Sequence, residues 1–421
     1  MNNYKKIFLS NKIPLLTIPV KGAPTATVLI MFKTGSRYEN KQNNGISHFL
    51  EHLFFKGTTK RPNTLAISSE LDSLGGEYNA FTSKEFTGYW VKVAKGKLKS
   101  ALNIISDMLL NSRFAAEEIE REKGVIIEEL NMYEDNPIMH VEDVFEAVLY
   151  GETPAGWETI GTKANIRRFT RADFMKYWKA QYGTKSAYII LAGGVKESDK
   201  QAAAKMFAPF ISNVWQKQPG IKEKQIKPQL KIIPKKIDQV NLSLGVRTFP
   251  LSHPEELKVR LLGIILGGSM SSRLFIRLRE RNGLAYSIRA LAEFYNDSGY
   301  LTAQAGVPIE KTEPAIKIIL DEYKKIAATP VSAAELKRAK DLLGGKMLIQ
   351  MEATDNLAVW YARQAVLRKE IMTPGEFLRR INKITAADLL KTAQKIFVNE
   401  RLNLALIGNI KEGQIKKILK F

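Results

Sequence analysis

The chain has 421 residues, of which 45% are hydrophobic and 25% are charged, a composition typical of globular proteins. This length exceeds what one ordinary hydrophobic core supports, so we expect two domains or one duplicated unit. Cysteine is absent, which excludes disulfides, thiolate metal ligands and cysteine nucleophiles and leaves histidine and carboxylates as the metal ligands to consider. The formal net charge of +21 would suit a nucleic-acid or acidic-lipid partner.

The beginning of the sequence carries lysines but no apolar stretch of signal-peptide length. Nowhere in the sequence do about eighteen apolar residues follow one another, as a membrane-spanning helix requires. We therefore expect a cytoplasmic protein without a membrane partner.

The first motif with chemical content is His48-Phe-Leu-Glu-His52. Residues four apart lie on one face of a helix, about 5 to 6 Å from each other, so both rings can reach one metal ion. Zinc suits this pair, and because a hydrolytic zinc keeps one position for water, a third protein ligand is expected elsewhere. Glu51 is then placed to take a proton from that water.

The stretch 115–133 is rich in helix formers and ends before Asp135-Asn136-Pro137, which predicts a helix followed by a stop. Its residues Glu122 and Glu129 are seven positions apart and therefore share one helix face. On spacing alone, either Glu128 or Glu129 could supply the third metal ligand. Only Glu129 shares the face of Glu122.

Lysines are concentrated in a proline-bearing segment between residues 213 and 236. No aromatic residues alternate with them as a base-stacking surface would require, so we interpret this segment as a solvated linker. The predicted organisation is an N-terminal domain at 1–212, a linker at 213–236 and a C-terminal domain at 237–421.

The two sides of this linker contain a repeat. Three pairs of segments match in the same order: 26–34 with 240–248, 118–122 with 335–339, and 166–174 with 381–389. Each half mixes strands and helices in the same sequence. We therefore predict an α+β fold of two duplicated domains, each a mainly antiparallel sheet with helices packed on it.

The second copy shows which residues the fold itself can do without. The helix 255–266, which corresponds to the helix of the two histidines, contains no histidine. The counterparts of Glu122 and Glu129 are Ala339 and Lys346. The histidines and both carboxylates are therefore dispensable for the fold, which favours a chemical role for them.

Together with three other segments, the extended motif His48–Thr58 resembles the inverzincin metallopeptidases, the family of pitrilysin, insulin-degrading enzyme and the mitochondrial processing peptidase, in a short two-domain form. The three other segments are 76–82, 122–129 and 283–287. The resemblance implies that one Zn²⁺ per chain is bound by His48, His52 and Glu129, and that Glu51 activates water. It also implies that Glu122 orients a metal ligand.

Two further segments are similar to the substrate-binding apparatus of that family. The segment around Glu77–Ser83 would be an edge strand on which a peptide lies extended, with Asn79 and Ala80 nearest the scissile bond and Phe81 as a further substrate-binding residue. Arg279 and Tyr286 would hold substrate and donate a hydrogen bond to the oxyanion.

The resulting prediction is a zinc-dependent endopeptidase that cleaves extended peptides in an enclosed chamber. Family members of this length form such a chamber by pairing, so the resemblance implies a homodimer, and no nucleic-acid partner is expected. Two alternatives come from other classes: a noncatalytic scaffold subunit, as some relatives are, and a nucleic-acid-binding protein suggested by the charge alone.

Overall fold

The computed structural model describes residues 4–421. These residues form two compact units, and neither unit is one continuous stretch of chain. Unit 1 comprises the chain up to Leu130 together with Glu158–Pro219 and Met347–Gly375. Unit 2 comprises Asn131–Trp157, Gly220–Lys346 and Glu376–Phe421.

Each unit contains one β-sheet. In chain order, the strands within residues 4–421 are β1 Lys5–Phe8, β2 Pro14–Pro19, β3 Thr25–Phe32, β4 Glu77–Thr82, β5 Thr87–Ala94, β6 Ala187–Gly193, β7 Gln229–Ile233, β8 Gln239–Arg247, β9 Ile288–Phe294, β10 Gly299–Pro308 and β11 Leu402–Ile407.

The helices alternate with these strands. Over the same residues they are α1 Ile46–Leu53, α2 Thr64–Ser73, α3 Leu98–Asn111, α4 Ala116–Asp135, α5 Pro137–Tyr150, α6 Lys163–Arg168, α7 Arg171–Gln181, α8 Glu197–Phe207, α9 Glu256–Gly267, α10 Thr312–Ala328, α11 Ala333–Gln350, α12 Thr354–Leu367, α13 Pro374–Lys383, α14 Ala386–Ile396 and α15 Glu412–Ile418. A π-helical segment covers Phe275–Glu280, and single 3₁₀ turns cover Ser36–Tyr38, Lys95–Lys97, Ile309–Lys311 and Asn399–Arg401.

The sheet of unit 1 has the strand order β1-β2-β6-β3-β5-β4. Its pairs are antiparallel except β2 with β6, which are parallel. The central strand β3 is buried along almost its whole length, as expected for a strand with helices on both sides. Strand β4 lies at the edge, with one long side paired to β5.

The sheet of unit 2 has the strand order β7-β11-β8-β10-β9. Here too one pair, β7 with β11, is parallel and the others are antiparallel. Strand β9 occupies the edge that corresponds to β4. The predicted fold class, two duplicated domains with mainly antiparallel sheets, is confirmed.

Each repeat contributes one helix to the compact unit that contains the sheet of the other repeat. Helix α5 belongs to the first repeat, but it packs on the sheet of unit 2 through Val144 and Phe145. Helix α12 belongs to the second repeat, but it packs on the sheet of unit 1 through Leu357 and Tyr361. The two helices begin at positions 137 and 354 and are therefore counterparts, 217 residues apart. The compact units therefore do not coincide with the predicted domains 1–212 and 237–421. Those bounds describe the two sequence repeats and remain a prediction.

The segment 213–236 is not only a linker, which corrects the sequence interpretation. Its residues Gln229–Ile233 form β7, which adds to the sheet of unit 2 beside β11. Its beginning is held in unit 1, where the Trp215 indole donates a hydrogen bond to the Lys33 carbonyl over 2.7 Å. No helix within residues 4–421 is long and apolar enough to cross a membrane.

Candidate metal centre

Helix α1 presents two chemically different faces. Phe49 and Leu50 are fully buried, and the Phe49 ring packs edge-on against the Phe174 ring of α7 at 4.8 Å between centroids. On the other face, the rings of His48 and His52 lie 4.8 Å apart. The aromatic contacts therefore fix the helix, and the two imidazoles are held side by side as their spacing predicts.

The beginning of α1 is held by a buried acid that the sequence interpretation missed. The Glu39 carboxylate accepts hydrogen bonds from the backbone N–H groups of Gly45 and Ser47, both at 2.8 Å, and from the Asn44 side chain. Gly45 has a φ of 99° and no room for a side chain, because a Cβ would lie 2.6 Å from the Ile160 carbonyl oxygen. Burial raises the pKa of Glu39 to about 7, although these donors act to lower it.

Helix α4 supplies both predicted carboxylates. Its buried stripe is Ile119, Glu122, Ile126 and Leu130, a spacing that turns one face of the helix toward the core. Glu129 lies beside this stripe with its side chain 24% exposed. The structure thus brings Glu129 to α1, whereas Glu128 is exposed, so of the two candidates Glu129 is the one that lies beside the histidines.

Three side chains converge on one point. One ligand atom each from His48, His52 and Glu129 lies within 4.8 Å of the others. The Nε2 atoms of His48 and His52 are each 3.6 Å from a Glu129 oxygen. Ligand atoms around a tetrahedral zinc at about 2.0 to 2.1 Å are separated by about 3.3 Å, so the two histidine-to-glutamate distances are already close to the value that the ion needs.

The hydrogen bonds of His52 show that the donor set fits a cation. His52 Nδ1 lies 2.8 Å from Glu122 Oε1, and a carboxylate can only accept there, so Nδ1 carries a proton. In neutral imidazole the lone pair is then on Nε2, which faces an oxygen of Glu129. A positive charge between these two acceptors, from a proton or from a metal ion, would stabilise the arrangement, so the donor set fits a cation. Burial acts to lower the pKa of His52, but the hydrogen bond to Glu122 and the negative charges of the nearby glutamates together raise it.

Glu122 is itself held by a lysine that the sequence interpretation did not single out. Lys56 Nζ lies 2.6 Å from Glu122 Oε2, so one carboxylate oxygen meets His52 and the other meets a cation. Burial acts to raise the pKa of Glu122, but the hydrogen bonds from His52 and Lys56 hold it below its usual value. The sequence signal was available, since Lys56 lies four residues after His52.

Glu51 lies on the same partly buried face of α1 as the histidines. Thr82, the last residue of β4, donates a hydrogen bond from its hydroxyl to Glu51 Oε2 over 2.5 Å. Burial raises the pKa of Glu51, although Thr82 and the nearby histidines act to lower it. The carboxylate is therefore more basic than an exposed one and has a fixed orientation.

The predicted substrate strand is the edge strand β4. The Ala80 N–H is bonded to the Asn79 side-chain oxygen at 2.8 Å. Phe81 packs over Gly88, where a Cβ would lie 2.3 Å from the ring, and edge-on against Phe86. Phe81 therefore packs on β5, and it also lines a cavity of about 310 Å³ beside Trp90.

Arg279 and Tyr286 form a pair within unit 2. The Arg279 guanidinium lies 4.9 Å from the centre of the Tyr286 ring, a cation–π distance. Tyr286 is 81% exposed and lies two residues before the beginning of β9. A large aromatic residue exposed to this degree does not serve the core of unit 2.

Two family models cover most of the chain. The model for insulinase, peptidase family M16, matches residues 16–163, and the model for the inactive domain of the same family matches residues 168–343. The chain belongs to peptidase family M16. The predicted resemblance is thus confirmed. The helix without histidines, α9, lies in the part matched by the inactive-domain model.

Similar proteins share nearly the whole length of the chain. An uncharacterized zinc protease of Rickettsia felis is 34% identical, with 94% of this chain and 95% of that protein covered. The uncharacterized zinc protease YmxG of Bacillus subtilis is 32% identical, with 89% and 91% covered. The crystal structure of a protease from Helicobacter pylori is 23% identical and matches with a TM-score of 0.91, covering 97% of this chain and all of that one; it supports the fold.

Proposed function

We propose that the chain is a zinc-dependent endopeptidase whose metal is held by His48, His52 and Glu129. The observation that carries this proposal is the convergence of these three side chains from two helices within 4.8 Å. A zinc ion bound there acts as a Lewis acid that polarises the scissile carbonyl and makes water more acidic. Relatives named zinc proteases support the choice of metal.

Glu51 is the general base in this proposal. Its raised pKa favours proton uptake from the attacking water, and its bond to Thr82 directs the carboxylate toward the cluster. The same residue then returns the proton to the leaving amine. Glu122 is too deeply buried to reach substrate, so its role is to hold His52 with Nε2 toward the metal.

The substrate is an extended peptide that adds to the free side of β4. Backbone hydrogen bonds to an edge strand are largely indifferent to side-chain identity, which suits a peptidase of broad specificity. A peptide that uses the Ala80 N–H must first displace the Asn79 side chain that occupies it. Thr82 ties the end of this strand to Glu51, so the strand and the general base are coupled directly.

The enclosed chamber of this proposal is formed by a homodimer, in which Arg279 and Tyr286 act at the zinc of the partner chain. The exposure of Tyr286 and its stacking with Arg279 support a role outside the core of unit 2. Mixing Glu51→Gln chains with Tyr286→Phe chains should restore part of the activity that each lacks alone. Full activity in a chain that sediments as a monomer would contradict this arrangement.

The central experiment compares peptide cleavage and zinc content. Glu51→Gln should lower kcat by about 10² to 10⁴, the usual contribution of a general base, while zinc content stays at the wild-type level. The exposed Glu128→Gln is the matched control and should leave both quantities unchanged. Full activity of Glu51→Gln would overturn the assignment of the base. A wild-type chain that binds zinc and cleaves no peptide would instead support the scaffold subunit.

A further inference from the structure

Unit 2 contains a cavity of about 300 Å³ on one face of its sheet. Helix α5 covers the middle of this face, where Phe145 packs against Tyr300. Toward the beginning of α5, near Ile138 and Val141, the cover ends and the cavity opens. Its size is at the lower end for ligand pockets, which suits a single residue and not a long peptide.

Two buried polar atoms in this cavity have no hydrogen-bond partner among the described residues. They are the side-chain oxygen Oδ1 of Asn241, a residue 5% exposed, and the amide nitrogen Nε2 of Gln304, a residue 4% exposed. The Gln304 orientation is fixed, because its Oε1 receives the Arg289 Nε–H over 2.7 Å and a guanidinium can only donate. Buried polar groups normally have partners, so an unpartnered donor and an unpartnered acceptor together indicate a missing ligand.

Strand register places these groups on one face. Asn241 is opposite Gly306, and Gln304 is opposite Arg289. Since Gln304 and Gly306 are two apart on β10, all four lie on the same face, with the side chains of Asn241 and Gln304 as diagonal neighbours. Gly306 keeps the space open, because a Cβ there would lie 3.2 Å from Asn241 Oδ1.

The charge on the cavity wall is positive. Arg289 has a half-exposed side chain, and its nearest acid is Glu142, 3.6 Å away. That distance is too long for a direct hydrogen bond, so the guanidinium keeps donors for a ligand. Arg289 and Gln304 Nε2 thus offer adjacent donors, which is the arrangement that a carboxylate accepts in protein sites.

We propose that this cavity binds the C-terminal residue of a peptide with an apolar last side chain. The terminal carboxylate accepts hydrogen bonds from Arg289 and Gln304, the amide N–H of the same residue donates to Asn241, and the side chain lies against Ile138 and Val141. Each unpartnered atom of the cavity then has a partner. The peptide source rests on the proposed peptidase function, whereas binding itself requires no cleavage.

The test measures binding of N-acetyl-Ala-Ala-Leu and of its C-terminal carboxamide to the full-length, zinc-loaded chain carrying Glu51→Gln. The acid should bind about tenfold or more tightly than the carboxamide, because the carboxamide offers no negative charge to Arg289. This comparison uses one folded protein and so does not depend on the folding of a cavity variant. Equal affinities would overturn the proposal.

Cavity variants locate the binding. Arg289→Met and Gly306→Ala should each weaken the acid about tenfold or more, while Arg338→Met, an exposed arginine on α11, should change nothing. Binding that survives both cavity variants but disappears in His48→Ala would place the carboxylate at the metal and refute the cavity. Failure of the proposed function would appear separately, as a wild-type chain that cleaves no peptide.

Discussion

The two units use the same order of elements and differ where the chemistry lies. In unit 1, α1 carries His48 and His52, and α4 brings Glu129 to them. In unit 2, the counterpart helix α9 has no histidine, and the counterpart of Glu129 is Lys346, whose Nζ donates to the Gly268 carbonyl at the end of α9. The same helix pair is therefore built once with a cluster of three candidate metal ligands and once with an ordinary polar contact. This teaches that the cluster is an addition to a fold that is stable without it.

Substituting the two histidines and a buried aromatic residue separately tests which of them the fold depends on. Phe49→Ala leaves a cavity among buried rings and should lower the free energy of unfolding by about 3 to 5 kcal/mol. The double substitution His48→Ala, His52→Ala should change it by less than about 1 kcal/mol when both proteins are compared without metal. Chemical denaturation in EDTA provides the measurement. A metal-free double variant that unfolds as readily as Phe49→Ala would show that the fold depends on the histidines.

The equivalent helices α1 and α9 are held at their beginnings by different hydrogen bonds, and the pH dependence of stability should show the difference. Helix α1 is held by the buried Glu39. Next to the beginning of α9, the Glu256 carboxylate accepts from the Ser252 N–H and His253 Nδ1 accepts from the Glu255 N–H. Both acids are buried, but Glu39 is held by neutral donors, whereas Glu256 is also ion-paired with Arg260 at 3.0 Å.

Folding raises the pKa of Glu39 from 4.5 to about 7. Between these values the folded chain holds a proton that the unfolded chain releases, so stability falls as the pH rises and the full cost is present above about pH 7. The unfolding free energy of the wild type, taken relative to Glu39→Gln, should fall by about 3 kcal/mol from about pH 5 to about pH 8. Denaturation curves at both pH values measure it, and a difference that stays constant with pH would contradict the buried ionisation.

Substitution of Glu122 on α4 should give the smallest of these effects, a change in zinc affinity. Glu122→Gln should weaken zinc binding by about 10 to 100-fold, because His52 loses the acceptor that fixes its tautomer. Lys56→Met should act in the same direction and more weakly, since it touches only Glu122. The matched control is Glu128→Gln on the same helix. Competition with a chelator of known affinity measures all three variants, and an unchanged affinity in Glu122→Gln would remove this residue from the site.

The clustering of the candidate metal ligands could be predicted from sequence because their spacing is local. His48 and His52 share one helix face at i and i+4, and Glu122 and Glu129 share another at i and i+7, so each pair followed from helix periodicity. In the second repeat, Ala339 and Lys346 replace the acids, which indicates that the fold does not require carboxylates at these positions. The choice between Glu128 and Glu129 needed only one further face argument.

What the sequence did not predict depends on contacts between distant segments. The exchange of α5 and α12 follows from packing on strands that are distant in the sequence, and helix periodicity does not say which sheet a helix covers. Strand β7 falls within the predicted linker because a strand of five residues among lysines shows little periodicity. The strand with which it pairs, β11, follows about 170 residues later. Glu39 was missed because the acid and the helix it holds are separated by a loop.

The measurement that tests the metal centre most directly is a zinc titration of the metal-free full-length chain, wild type against Glu129→Gln. We expect one zinc per wild-type chain and an affinity lower by about 100-fold or more in the variant, which loses a charged ligand from the second helix. Equal zinc affinity in the two proteins, or no zinc bound by the wild type, would contradict it.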